Sequence, residues 1–185
     1  MAAIGQRCGV VTFHGPLVTT LASASDRTRQ SFCDALMSAE AVTCHLAKGT
    51  TIQPGTAAGP ICGGNLTTLC HLVGTPYMPR LRDRILFLED RGEAPYRIDR
   101  MLSHLKTAGC LRGVRGILLG SFEDCGPTGE ILEIFDDLFR DSGVPILAGF
   151  EAGHTDPNLT IPLGSRAVLD AGERTVRIEP GTCDP

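Results

Sequence analysis

Ile85-Leu86-Phe87-Leu88-Glu89-Asp90 is a short apolar run that ends in two carboxylates. A run of this length and bounding reads as a strand covered on both faces, the kind found inside a parallel sheet. The downstream residues agree. Pro95 suits the first turn of a helix, and Ile98, Met101, Leu102 and Leu105 then recur at i, i+3, i+4 and i+7 before Gly109 stops the pattern. Residues 116–122 read as a second buried strand. Thr128 can cap a helix bearing Ile131, Leu132, Phe135, Leu138 and Phe139, and residues 145–148 read as a third strand. Strand, helix, strand, helix, strand specifies an α/β fold.

Toward the N-terminus the pattern is looser. Residues 9–13 read as a strand broken by His14-Gly15-Pro16, and Ser23-Ala24-Ser25-Asp26 can cap a helix carrying Phe32, Cys33, Leu36 and Met37. Residues 41–46 and 51–62 are extended. Gly63-Gly64-Asn65 opens a helix with Leu66, Leu69, Cys70 and Val73 on its buried stripe. Composition shifts across residues 41–56, which are the expected linker between residues 1–40 and 57–185. Two short alternating strands, at 167–169 and 175–178, complete the chain.

The 185 residues carry a formal net charge of −4, with 42% hydrophobic and 21% charged residues. Nucleic acid and anionic membrane both call for a basic surface, so neither is expected as a partner. No apolar run approaches the roughly 18 residues of a membrane span. The opening Met1-Ala2-Ala3-Ile4-Gly5-Gln6-Arg7 has no signal-peptide pattern, so a cytoplasmic location is expected. The eight cysteines form no C-x-x-C pair and mostly sit among aliphatic residues. They are expected as buried free thiols, with no metal and no cofactor.

Loops at the C-terminal ends of parallel strands are where such folds place chemistry. Glu89 stands at one such end. His154 stands on another, in Gly153-His154-Thr155-Asp156-Pro157-Asn158 after the third strand. Together they could be the base and the orienting acid of a nucleophile–base–acid triad. Read alone, Glu89 could equally be a solvated strand-end carboxylate, and His154 a loop residue bonded to backbone. Asp90 and Glu93 compete for the carboxylate role, but strand alternation sends Glu89 and Asp90 to opposite faces. Arg97 and Arg100 could hold a substrate carboxylate or simply form a solvated helix face. Cys125 is a candidate thiol nucleophile. His14, His45, His71 and His104 have weaker contexts.

Several blocks resemble the LD-carboxypeptidases, the murein tetrapeptide carboxypeptidases of a serine peptidase family. They are Gly59-Pro60-Ile61-Cys62-Gly63-Gly64-Asn65-Leu66, the 85–90 strand with Glu93-Ala94-Pro95-Tyr96-Arg97-Ile98-Asp99-Arg100-Met101-Leu102, and Gly149-Phe150-Glu151-Ala152-Gly153-His154 with Ile161-Pro162-Leu163-Gly164. Val11-Thr12-Phe13-His14-Gly15-Pro16 resembles the segment just after that family's catalytic N-terminal stretch. The resemblance runs from about residue 9 to 170. It implies a C-terminal domain of swivelling β/β/α type over 57–185, with a mixed sheet and flanking helices, and a remnant of a flavodoxin-like N-terminal domain over 1–40. It implies Glu89 and His154 as catalytic acid and base, with no metal or cofactor. The substrate would be a murein peptide ending in D-alanine, cleaved in cell-wall recycling by an enzyme that is a homodimer when intact.

The family's nucleophilic serine lies upstream of the Phe-His-Gly-Pro segment. Eight residues precede Gly9 here and none is serine, so the chain is expected to be an inactive fragment, or the product of a late start codon. Its first strand, at 10–13, is expected to lack a sheet partner. A microcin-immunity type of hydrolase, acting on peptide–nucleotide conjugates, is the alternative enzyme; the absence of tryptophan favours the murein substrate. A non-catalytic binding module is the alternative outside enzymes.

Overall fold

The computed structural model describes residues 1–181. In chain order its elements are α1 (Ala2–Cys8), β1 (Thr12–His14), α2 (Val18–Leu21), α3 (Asp26–Met37), β2 (Val42–His45), β3 (Thr50–Gln53), β4 (Thr56–Asn65) and α4 (Leu66–Cys70). Then come β5 (Ile85–Arg91), α5 (Pro95–Thr107), β6 (Gly116–Glu123), α6 (Thr128–Phe139), β7 (Ile146–Ala148), β8 (Ile161–Leu163), β9 (Arg166–Asp170) and β10 (Thr175–Ile178).

Eight strands form one mixed sheet in the order β2-β10-β9-β4-β5-β6-β7-β3. Its centre, β4-β5-β6-β7, is parallel; the flanking pairs are antiparallel. The α/β class with a mixed sheet and flanking helices therefore holds. Residues 41–56, expected as a linker, instead carry β2 and β3, which form the two edges of this sheet. Their extended character is legible in the sequence, but only pairing shows that they join the sheet rather than link two domains. The first strand is not orphaned either. β1 pairs antiparallel with β8 in a separate two-stranded ribbon, with His14 opposite Ile161. Most exposed large apolar side chains, including Leu17, Val18, Met37 and Val42, lie within the first 42 residues.

Alternation along β5 explains how the site is positioned. Leu86 and Leu88 face the layer containing α4, α5 and α6, where they pack with Leu66, Leu102 and Phe135. Ile85 and Phe87 face the opposite core, with Ile61, Leu118, Phe150 and Leu169. All four are fully buried, as expected of a central strand covered on both sides. The same pleat carries Glu89 to the Phe87 side and Asp90 to the α4 side. Asp90 accepts from Asn65 Nδ2 at 2.8 Å, and from Thr67 N at 2.9 Å and Oγ1 at 2.8 Å. Asn65 in turn caps α4 by accepting from Thr68 N at 2.9 Å. Asp90 is thus the anchor of the turn after β4, which leaves Glu89 free for another task.

α5 has Pro95 at its start and buries Ile98, Leu102 and Leu105. α6 buries Ile131, Phe135 and Phe139; Thr128 is its first residue, and Pro127, rather than Thr128, takes the cap position. Among the described residues no helix is long and apolar enough to cross a membrane. The cysteines differ from expectation. Only Cys62 and Cys125 are buried, while Cys8 and Cys33 are exposed and Cys44, Cys70 and Cys110 are half-buried; Cys183 lies outside the described residues.

Candidate active site

Glu89 and His154, 65 residues apart in sequence, meet at the C-terminal edge of the parallel strands. His154 Nδ1 lies 2.7 Å from Glu89 Oε2. The carboxylate side chain is 1% exposed and the imidazole 44% exposed, so the acid is sealed and the base reaches solvent. An acceptor at Nδ1 places the ring proton there and leaves Nε2 bare. Among the described residues no hydroxyl is hydrogen-bonded to that Nε2.

The histidine loop is fixed at several points. Ser121, at the end of β6, accepts from His154 N at 3.2 Å, and Asn158 Oδ1 accepts from Gly153 N at 3.0 Å. Gly153 has φ +135°, and a Cβ there would press on Ser121 Oγ and lie 3.1 Å from Glu89 Oε2. Only glycine fits so close an approach. On its other side the loop docks on the start of α3. Asp156 accepts from Ser25 N at 2.9 Å, Ser25 Oγ at 2.7 Å and Thr28 Oγ1 at 2.6 Å. Thr28 Oγ1 accepts from Asn158 N at 2.9 Å, Ser31 Oγ accepts from Thr160 N at 3.0 Å, and Arg27 pairs with Glu151.

The pair opens into a cavity of about 780 Å³ lined by His14, Pro16, Asn65, Thr68, Arg91 and Asp156, among others. Its one arginine, Arg91, is engaged by Glu123 at 3.3 Å and Asp124 at 3.8 Å. Arg97 and Arg100, considered as substrate clamps, do not line this cavity; Arg97 pairs with Glu93 at 3.3 Å and both guanidinium groups lie over Tyr96. Glu93 is therefore taken up by Arg97 and Asp90 by the α4 turn. Cys125 is no nucleophile: it is 1% exposed, donates to Glu123 O at 3.3 Å, and burial pushes its thiol up, away from the reactive thiolate. His14, whose sequence context is weak, stands 3.6 Å from Glu89 Oε1. Ser121, Asp156 and Arg91 also belong to the site, and no sequence motif marks them.

Burial pushes the Glu89 carboxyl up, but the imidazoles of His14 and His154 outweigh it and hold the group below the ordinary carboxylate range. Because the folded value is depressed, the unfolded chain binds the proton first as pH falls. The stability contributed by the Glu89 carboxylate is therefore complete above its ordinary value near 4.5 and is lost as pH drops from there through the folded value. Urea unfolding at stepped acidic pH should show a steeper fall for the wild type than for Glu89→Gln. Parallel slopes would contradict this account of the carboxylate.

Comparison with known proteins identifies the family of this chain. The family model for the LD-carboxypeptidase C-terminal domain matches residues 58–169. A probable murein peptide carboxypeptidase of Bacillus subtilis is 37% identical over 98% of this chain and 60% of its own length. A microcin self-immunity protein of Escherichia coli is 35% identical over 67% of this chain and 37% of its own. Among solved structures, a muramoyltetrapeptide carboxypeptidase from Oxalobacter formigenes superposes with a TM-score of 0.83 at 28% identity, covering 99% of this chain and 66% of that one. The microcin self-immunity protein in complex with glutamyl sulfamoyl guanosine gives 0.85 at 27% identity, covering 96% and 63%. The chain spans about 60% of the length of the first curated relatives it matches. It belongs to the LD-carboxypeptidase family.

Proposed function

We propose that Glu89 and His154 are the acid and base of a serine-type LD-carboxypeptidase that removes the terminal D-alanine from murein tetrapeptides, a step of cytoplasmic peptidoglycan recycling. The observation that carries this is the 2.7 Å contact between a sealed carboxylate and an imidazole that lines a cavity. His154 Nε2 takes the proton from a serine hydroxyl as it attacks the peptide carbonyl, then returns it to the departing amine. Glu89 keeps the ring in the Nδ1–H tautomer and stabilises the imidazolium that forms. In this reading the nucleophile is a serine that residues 1–185 do not supply. The Ser121 hydroxyl is engaged by the backbone N–H of His154, not by its ring. Residues 1–40 are assigned to the end of a flavodoxin-like N-terminal domain and 57–185 to the C-terminal domain, with the intact enzyme a homodimer.

The microcin self-immunity relatives keep a second reading open, hydrolysis of a peptide–nucleotide conjugate. The test joins this chain to a serine-bearing N-terminal segment of the family and compares two substrates, a murein tetrapeptide ending in D-alanine and an aminoacyl sulfamoyl nucleoside. D-alanine release is expected with the joined protein and not with residues 1–185 alone. Preferential turnover of the nucleoside conjugate would transfer the assignment to the second reading. Metal-independent release by the chain alone, at enzyme-like rates, would contradict the nucleophile assignment.

A further inference from the structure

The pair uses only one of the two Glu89 oxygens. Oε2 meets His154 Nδ1, while Oε1 faces His14 Nε2 at 3.6 Å. That second contact is shielded, since the His14 side chain is 13% exposed and the Glu89 side chain 1%. The His14 ring is held in place rather than merely adjacent. It stands edge-on to Phe87 with centroids 5.1 Å apart and planes at 70°, and its strand is locked to β8 opposite Ile161. Its Nδ1 is buried with no hydrogen-bond partner among the described residues. A proton on Nδ1 would be buried without an acceptor, so the ring proton belongs on Nε2, the nitrogen aimed at the carboxylate.

We propose that His14 is a positioning residue for the Glu89–His154 pair: its Nε2–H holds Oε1, so that Oε2 stays directed at His154 Nδ1. The proposal rests on the reading of Glu89 and His154 as acid and base. A buried carboxylate with a single partner can rotate its free oxygen toward that partner or take up a proton. A donor on the far oxygen blocks both. At 3.6 Å the contact is electrostatic, and a closing of about half an ångström makes it a hydrogen bond, the kind of tightening expected when charge develops on His154. β1 and the histidine loop are tied together by the β1–β8 ribbon, so His14 and His154 reach the two oxygens as parts of one assembly.

The experiment is NMR on residues 1–185, tracking the Glu89 side-chain carbon and the imidazole nitrogens through an acid titration. His14→Phe keeps a ring against Phe87 but removes the donor; His14→Gln restores an N–H near the Nε2 position. With His14→Phe the Glu89 carboxyl should titrate about one unit higher or more, and with His14→Gln it should return toward the wild-type value. An unmoved Glu89 titration in His14→Phe would overturn the proposal and leave His14 a packing residue. The unaltered protein gives a check independent of any variant: His14 must show a protonated Nε2 and a bare Nδ1, and the reverse tautomer overturns the proposal. Glu89→Gln distinguishes the two levels. If it leaves the His154 nitrogen signals unchanged, the acid–base pairing itself fails, whatever His14 does.

Discussion

Replacing His154 with alanine in the joined, serine-bearing protein is expected to lower turnover on a murein tetrapeptide by on the order of 10⁶, as loss of the base does in other serine hydrolases. The loss is large because the imidazole serves twice, accepting the serine proton and then protonating the leaving amine. Folding should persist. The ring is 44% exposed, and the loop keeps its backbone bonds to Ser121 and its docking through Asp156. Glu89→Gln should cost less, about 10⁴, because it leaves a base that is wrongly oriented rather than absent. A His154→Ala protein that still releases D-alanine within tenfold of the parent would remove His154 from the chemistry.

The largest expected effect on stability lies at Gly63. It has φ +135° and pairs with Phe87 across the β4–β5 ladder. A Cβ there would enter the shell of the Phe87 carbonyl oxygen and lie 3.0 Å from its carbon and 3.1 Å from the Phe87 nitrogen. Those are backbone atoms of a fully buried central strand and cannot step aside. Left-handed strain and overpacking each cost about 1–3 kcal/mol, so Gly63→Ala should lose about 4 kcal/mol or fail to fold. Gly129, in the first turn of α6, has nothing within 4 Å of its would-be Cβ, and Gly129→Ala should be neutral or slightly stabilising. Chemical unfolding of the two variants side by side measures the contrast. Equal midpoints would mean that β4 and β5 do not approach as described.

Much of this arrangement is legible in the residues. The 85–88 run identifies the central strand, and the parity of Glu89 and Asp90 separates them correctly onto two faces. The α5 and α6 patterns are long enough for their period to show. Extended character is legible over 41–46 and 51–62 too, but not the partners: β2 and β3 are placed at the two sheet edges, and β8 against β1, by pairing alone. The docking of the histidine loop on α3 rests on hydrogen bonds between residues 128 to 131 apart in sequence. No local pattern of Ser25, Thr28 and Asp156 announces such contacts. His14 is hard to read from sequence for the same reason. Its neighbourhood looks like a strand end, and only the β1–β8 ribbon brings it to the far side of Glu89.

The most direct test is the protonation pattern of the His154 ring, read by nitrogen-15 NMR at neutral pH. The ring should carry a proton on Nδ1 and a bare Nε2, with a strongly downfield Nδ1 proton that vanishes in Glu89→Gln. A ring carrying its proton on Nε2, or signals indifferent to the loss of the Glu89 carboxylate, would contradict the acid–base pairing.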